Sequence, residues 1–296
     1  MAMPKITIGY ITNTRLPAFQ DEAFQRVARQ LGIKLLIINS AKQAGIKAIE
    51  KKASRCALVY NSQVDLNSLE IAKQLEFMGH QVVETTRSYY YTEDKWFLYL
   101  MCLKNKIPTP KTILLSSDLV SARDQIKKFK QFPVILKRVQ GFGGNFVDRA
   151  ETPDQAVAVI KKFWKKGEDR FPIIAQEFVL SDSYRVLTIG RKIVQTARKK
   201  RFNWKATGGD RAKFEKFEID RELEELIKKI IKFVDIEICG LDFAKDPAGH
   251  WLLIEVNSGP AYDFFRREYA AMIRIAMIHL LTLAKKKNLS PSERGE

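Results

Sequence analysis

The chain has 296 residues, enough for two or three compact lobes each with its own core. Apolar residues make up 46%, and the longest apolar helical stretch, Met272 to Ala284, is interrupted by Arg274 and His279, so it is too short and too polar to span a bilayer. The formal charge of +17 says nothing about fold; it suits an anionic partner (a nucleotide, an acidic peptide or nucleic acid) as well as it suits a solvated lysine-rich surface.

Met1-Ala2-Met3-Pro4-Lys5 leads straight into a strand pattern, which predicts no secretory leader. Cys56, Cys102 and Cys239 have no metal-type or redox-type spacing, so reduced thiols in a cytoplasmic protein are expected. Lys5–Ile11 reads as a strand. Ala18–Leu31 has helical spacing, with apolar residues at Phe19, Ala23, Phe24, Val27 and Leu31. Lys34–Ile38 and Cys56–Tyr60 are further strands, Leu66–Met78 is a helix stopped by Gly79, and Gln81–Val83 is extended again. Strands alternating with helices predict a parallel α/β lobe over residues 1–92. Ligands gather at strand C-termini in such sheets, which makes Asn13, Arg15, Asn61 and Ser62 candidates for acceptor recognition.

Thr92 is the expected cap of a helix from Glu93 to about Asn105, stopped before Pro108 and Pro110. A strand (Thr112–Leu115), a helix (Asp118–Phe129), a strand (Pro133–Val139), a glycine-rich turn (Gln140–Asn145), a helix (Pro153–Lys165) and a strand (Pro172–Phe178) follow, giving a second lobe over 93–179. The third lobe, 180–286, has strands at Tyr184–Ile189 and Lys192–Arg198, a loop with Gly208-Gly209, a helix at Arg221–Val234, a hairpin, and a final helix from Phe264. Residues 287–296 form a polar tail, expected to fray.

The hairpin is the most telling segment. Gly240-Leu241-Asp242 and Glu255-Val256-Asn257 flank the turn Lys245-Asp246-Pro247-Ala248-Gly249. If Asp246 pairs with Trp251, Asp242 falls opposite Glu255, and strand alternation puts Glu255 and Asn257 on one face, with Leu252, Ile254 and Val256 on the other. Two carboxylates and an amide oxygen then converge, a donor set that suits a hard cation such as Mg²⁺. A glutamate inside so apolar a strand needs a partner.

Lys137 ends the strand Val134-Ile135-Leu136-Lys137, directly before Gly141-Phe142-Gly143-Gly144. Glycines free backbone N–H groups to approach a phosphate and the lysine adds charge, although most glycine-rich turns only turn, and no Walker loop is present. Gln176-Glu177-Phe178-Val179 ends an apolar strand where exposed backbone could meet a base, with Glu177 or Asp182 accepting from a ribose hydroxyl; a solvated strand end is the plainer reading. Arg185, Arg198 and Lys199 could stabilise charge in phosphoryl transfer, or could be surface charge. His80, His250 and His279 have no catalytic or ligand spacing, and the tryptophans form no nucleic-acid stacking motif.

Together these motifs resemble the ATP-grasp superfamily and, within it, the RimK-like carboxylate–amine ligases. The resemblance runs from about Thr92 to Leu281. It is carried by Glu93-Asp94-Lys95-Trp96, Ile107-Pro108-Thr109-Pro110-Lys111-Thr112, the Lys137 strand with its glycine turn, Gln176-Glu177-Phe178-Val179, Tyr184-Arg185-Val186, Gly208-Gly209, Gly240-Leu241-Asp242 and Glu255-Val256-Asn257-Ser258-Gly259-Pro260, in the family's order. It implies an ATP-grasp fold in which the parallel N-terminal lobe precedes two lobes whose antiparallel sheets sandwich ATP. Lys95 and Lys137 would then contact the phosphates and the adenine side. Gly141, Gly143 and Gly144 would close over the phosphates. Glu177, Phe178 and Val179 would frame adenine and ribose, with Asp182, Lys199 and Asn203 nearby. Asp242, Glu255 and Asn257 would bind one or two Mg²⁺ ions, with Mn²⁺ an alternative. Arg185 and Arg198 would hold the phosphoryl group or acylphosphate. The implied reaction forms an amide bond between an amino acid and a carboxylate acceptor (small molecule, peptide or carrier protein), releasing ADP and phosphate, in an enzyme that often self-associates.

Some positions depart from the family pattern. Ser183 stands where an aspartate is usual, with Asp182 beside it. Trp204 stands where an asparagine is usual, with Asn203 beside it, and Tyr262-Asp263-Phe264-Phe265-Arg266-Arg267 replaces a run of small residues on the acceptor side. Two competing readings are a basic nucleic-acid or ribosome binder without turnover, against which the clustered carboxylates argue, and a kinase-like transfer that releases no phosphate.

Overall fold

The computed structural model describes residues 6–13, 19–42, 45–141, 146–165, 170–201, 204 and 214–287. The N-terminal sheet is parallel, in the order β2-β1-β3-β4, from β1 (Thr7–Thr12), β2 (Lys34–Asn39), β3 (Leu58–Asn61) and β4 (Val82–Val83). Buried residues of α1 (Phe19–Gln30) and α9 (Tyr269–Lys287) cover one face; α2 (Ile46–Ala53) and α3 (Leu66–Phe77) cover the other. Asp65 caps α3, accepting from Ser68 N at 3.1 Å. The helix α2 is not expected from the sequence; it is short and buries only Ile49 and Ala53. The last helix starts at Tyr269 instead of Phe264, because Phe264 turns toward a cavity while Glu268 N bonds back to Phe265 O at 2.8 Å.

A further helix, α4 (Thr86–Thr92), joins this lobe to α5 (Lys95–Lys104). The cap of α5 is Asp94, which accepts from Phe97 N at 2.8 Å, and not Thr92. The Thr92 hydroxyl is used within α4, donating to Ser88 O and Tyr89 O. Leu98 and Cys102 of α5 pack into the core of the C-terminal sheet.

The central sheet is antiparallel in the order β5-β8-β6-β7, from β5 (Thr112–Leu114), β6 (Val134–Arg138), β7 (Val147–Ala150) and β8 (Ile173–Glu177). Alternation divides its residues cleanly: Val134, Leu136, Ile173 and Ala175 pack under α6 (Leu119–Phe129) and α7 (Pro153–Lys165), while Ile135, Lys137 and Gln176 face a cavity.

The C-terminal sheet is also antiparallel, in the order β11-β10-β9-β12-β13, from β9 (Ser183–Ile189), β10 (Lys192–Lys199), β11 (Phe214–Glu215), β12 (Ile238–Lys245) and β13 (Trp251–Asn257). The amphipathic helix α8 (Arg221–Val234) buries Leu223, Leu226, Ile227, Ile230, Ile231 and Val234 against one face. Asp220 caps it and also accepts from Trp251 Nε1 at 2.8 Å.

Asp242 does pair with Glu255, by a different route from the expected one. The turn is one residue longer, with Lys245 opposite Trp251, and Ile254 is an extra residue bulged out between the pairs Phe243–Leu253 and Asp242–Glu255. The bulge overturns the simple alternation read from the sequence. Trp251, Leu253 and Val256 go into the core, whereas Ile254 lines the cavity beside Glu255.

Candidate functional site

A cavity of about 440 Å³ opens between the central and C-terminal sheets. On the C-terminal side, Arg185 is the register partner of Asp242, and Asp242 that of Glu255, so the three form one row across β9, β12 and β13. Arg185 Nη2 lies 3.5 Å from Asp242 Oδ2, and Lys95 Nζ lies 3.5 Å from Glu255 Oε1. The row therefore reads cation, anion, anion, cation. Burial pushes the Asp242 carboxyl up to about 6, opposed by Arg185 and reinforced by Glu255. Asn257 lines the same cavity two residues from Glu255.

The oxygen donors of Asp242, Glu255 and Asn257 fit a hard divalent cation. Among the described residues each carboxylate has a single long contact to a protein cation, and a site of like charges is relieved by a metal. Gly240, between Leu187 and Asn257 in the adjacent row, keeps this floor open: a Cβ there would come 3.1 Å from Pro260 Cβ.

The opposite wall carries Lys137 beside Lys95. Lys137 Nζ donates to Gln176 Oε1 at 2.7 Å, Gln176 Nε2 to Thr112 Oγ1 at 3.0 Å, and Thr112 Oγ1 to Pro110 O at 2.9 Å. This relay crosses the central sheet and aims the lysine. Burial lowers the Lys137 ammonium to about 8, with Glu255 opposing and Lys95 reinforcing the shift. Lys95 is held by its backbone N–H on Val139 O at 3.0 Å and by Nζ on Gly141 O at 2.7 Å. At the far end, Glu177, Phe178 and Val179 line the cavity, with Glu177 N bonded to Lys111 O at 2.8 Å and its carboxylate accepting from Lys111 N at 3.3 Å. The guanidinium carbons of Arg149 and Arg201 stand 4.6 and 5.0 Å from the centre of the Phe178 ring.

The structure thus brings Lys95, Lys137, Gly141, Glu177, Phe178, Val179, Arg185, Asp242, Glu255 and Asn257 to one cavity. Asp182 and Arg198 stand elsewhere. Arg198 is the register partner of Tyr184, so it points to the sheet face opposite Ser183 and Arg185. There it pairs with Asp182 (Nη2 to Oδ2, 2.6 Å) and stacks on Tyr184, while Asp182 also accepts from Arg201 N at 3.0 Å. The two expected ligands are therefore committed to each other. Lys199 pairs with Ser183 and shares the cavity's side of the sheet. Gly143, Gly144, Asn203, Arg15 and the Gly208-Gly209 loop lie outside the described residues. Asn13 donates to Asp65 at 3.0 Å and Ser62 to Ile11 O at 3.0 Å, so both serve their own lobe. Asn61 is similarly occupied, accepting from Gln63 N at 3.2 Å. Ser62 also approaches the site's edge, where a Cβ on Gly259 would meet Ser62 O at 3.0 Å.

Three lining residues lie in segments quoted from the sequence, but nothing there gives any of them a role of its own. Gln176 is a polar residue in an apolar strand, on the face shared with Lys137, and that alternation is its only mark. Phe264 lies 5.6 Å from the Arg185 guanidinium, in a segment with helical spacing. Glu93 adjoins the α5 cap in a stretch of polar residues where an acid is unremarkable.

A family model described as the RimK-like ATP-grasp domain matches residues 92–281. The coenzyme gamma-F420-2:alpha-L-glutamate ligase of Methanocaldococcus jannaschii is 29% identical over 221 residues, 72% of this chain and 74% of that protein. The alpha-aminoadipate–LysW ligase LysX of Saccharolobus solfataricus is 30% identical over 194 residues, 64% of this chain and 69% of that one. A RimK domain ATP-grasp protein from Sphaerobacter thermophilus has a similar fold, with a TM-score of 0.73 at 17% identity over 93% of this chain and 99% of that one. The chain belongs to the RimK-like ATP-grasp family and is of the ATP-dependent carboxylate–amine ligase class. Its fold implies ATP binding. Among the described residues, no helix is long and apolar enough to cross a membrane.

Proposed function

We propose that this chain joins the amino group of an α-amino acid to a carboxylate acceptor by way of an acylphosphate. The observation that carries the reading is the Arg185–Asp242–Glu255 row facing Lys95 and Lys137 across one cavity. An acceptor carboxylate oxygen attacks the γ-phosphorus of ATP, the bond to the β-phosphate oxygen breaks, and ADP leaves. The amine nitrogen then attacks the acyl carbon, the amide forms, the nitrogen loses a proton, and phosphate leaves.

Lys95 and Lys137 hold the phosphates, and Arg185 holds the oxygens of the transferring group, where negative charge builds. Glu177 and Val179 frame the base and ribose at the far end. Asp242, Glu255 and Asn257 would hold a divalent cation, Mg²⁺ first and Mn²⁺ as a substitute, which would supply charge neutralisation at the phosphates. The salt bridge of Asp182 with Arg198 ties the start of β9 to the end of β10, and so fixes the strand that carries Arg185.

Glutamate and aminoadipate appear in the names of relatives, which makes acidic α-amino acids the first amines to test. The net charge of +17 favours an acidic acceptor. The test is ADP and phosphate release from Mg²⁺-ATP with pooled amino acids and acidic peptides. Release that needs both amine and carboxylate, and vanishes in Glu255→Gln, supports the reading. ATP turnover indifferent to both pools refutes it.

A further inference from the structure

Among the described residues, four carboxylates line the cavity: Glu93, Glu177, Asp242 and Glu255. Three have partners. Glu177 accepts from Lys111 N, Asp242 faces Arg185, and Glu255 faces Lys95. Glu93 has none. It is only 6% exposed, and among the described residues no donor or cation bonds its carboxylate, although it lies within electrostatic reach of Lys95 and Glu255. A buried carboxylate without a partner is costly, and burial pushes this one up to about 7.

Lys95 opposes this without bonding the carboxylate, because its ammonium is engaged with Gly141 O at 2.7 Å and Glu255 at 3.5 Å. Nor does Glu93 extend the metal set: among the described residues no three carboxylate, histidine or cysteine groups come together as a metal site. Its backbone is fixed from both sides. Glu93 N donates to Tyr89 O at 2.8 Å, ending α4, and the neighbouring Asp94 caps α5. The helix α4 leads out of the N-terminal lobe and packs against β13, the strand of Glu255 and Asn257. A largely buried carboxylate on this wall, with no bonded donor among the described residues, calls for a cation that arrives from solution. The reaction has two such participants, the divalent cation and the protonated amine; the first is assigned to Asp242, Glu255 and Asn257, which leaves the second.

We propose that Glu93 is the partner of the substrate's ammonium group, holding the amine beside the Asp242–Glu255 pair until the acyl carbon is activated. Glu93 is thus a specificity-determining residue for the amine, separate from the groups that handle phosphate. This rests on the ligase reading above. It predicts a primary amine that arrives as an ammonium, gives one proton to the Glu93 carboxylate to free its lone pair for attack, and loses the second as the amide forms; neutral or N-acylated amines are disfavoured.

The test uses the full chain with Mg²⁺-ATP, N-acetylated acidic amino acids and a hexaglutamate peptide as carboxylates, and two nucleophiles compared side by side. One is a pool of L-amino acids, cationic at neutral pH; the other is hydroxylamine, which is neutral there and traps acylphosphate as hydroxamate. In Glu93→Gln the ratio of amide to hydroxamate formed is expected to fall by about tenfold or more, with the rise confined to the amine KM, and Glu93→Asp is expected to recover part of it. A parallel thermal melt expects no loss of stability in Glu93→Gln, since an unpaired buried charge is removed. An unchanged ratio, or an equal loss of both products, overturns the assignment of Glu93. Absence of both products in the unmodified protein overturns the ligase reading itself.

Discussion

Arg185 stands across from Asp242 on the neighbouring strand, its Nη2 3.5 Å from Oδ2, and its buried Nε has no hydrogen-bond partner among the described residues. The guanidinium is therefore positioned by its strand and by Phe264 beneath it, and not used up by the pair. Removing it should cost the chemical step more than nucleotide binding. Arg185→Met is expected to lower kcat by roughly 10²–10³ while the ATP Kd changes by about threefold or less. Steady-state kinetics with a nucleotide titration checks this; a proportionate loss in ATP affinity would place Arg185 on the ground-state triphosphate instead.

The Lys137–Gln176–Thr112 relay makes a second prediction. Gln176→Leu leaves the lysine without its 2.7 Å acceptor and Thr112 without its donor. The expected result is a stability loss of about 1–3 kcal/mol and a raised ATP KM, read by denaturant unfolding and initial rates. Gln176→Glu should keep the acceptor and restore most of the affinity.

Lys137 should also report its own protonation. Its folded value near 8 lies below the ordinary lysine value of about 10.4. Between these two values the unfolded chain binds more protons than the folded one, so this group makes stability rise with pH across that window. The same window governs binding, since phosphates favour the charged lysine. ATP binding at about pH 9 is expected to draw in protons, seen as a buffer-dependent heat in calorimetry, and Lys137→Met is expected to abolish that dependence.

Glu84 joins the N-terminal lobe to β12: its Oε1 accepts from Ile238 N at 2.8 Å and its Oε2 from Glu237 N at 3.4 Å. Burial raises its carboxyl well above the ordinary range, with those two backbone bonds opposing. At low pH both states are protonated. As pH rises the unfolded chain ionises first, so this group costs stability from the ordinary carboxylate range up to its folded value. Glu84→Gln is expected to flatten that decline in melting temperature. A pH profile identical to that of the unmodified protein would show that Glu84 stays ionised in the fold.

The residues that bear charge on strands of strong apolar periodicity are legible in the amino-acid sequence alone. Lys137, Asp242 and Glu255 are polar interruptions in runs that otherwise announce a core; the pairing of Asp242 with Glu255 follows from the short turn, but the bulge at Ile254 through which it forms does not. Arg198 is not legible in the same way. It lies one residue from Lys199, and a single step along a strand moves a side chain to the other face, which local sequence does not resolve without the register to Tyr184. Asp182 escapes a local reading for a related reason: its carboxylate is spent on Arg198 and the Arg201 backbone, a contact between strand ends that no spacing encodes. The helix α4 shows no apolar stripe because two of its three buried residues, Ser88 and Thr92, are polar, and it packs against α5 and β13. Glu93 owes its character to burial, a property of the assembled lobes and not of its neighbours in the chain.

The bulge at Ile254 separates the length of the hairpin turn from the alignment of the carboxylates. Leu253 is anchored from the other edge as well, its N–H on Pro108 O at 2.8 Å and its carbonyl accepting from Thr109 Oγ1 at 2.9 Å. Changes beyond that anchor, from Asp246 through His250, are expected to leave Asp242 in place relative to Glu255. The turn is therefore the natural place to graft a fluorophore, an affinity handle or new chain ends while leaving the reaction chamber in register.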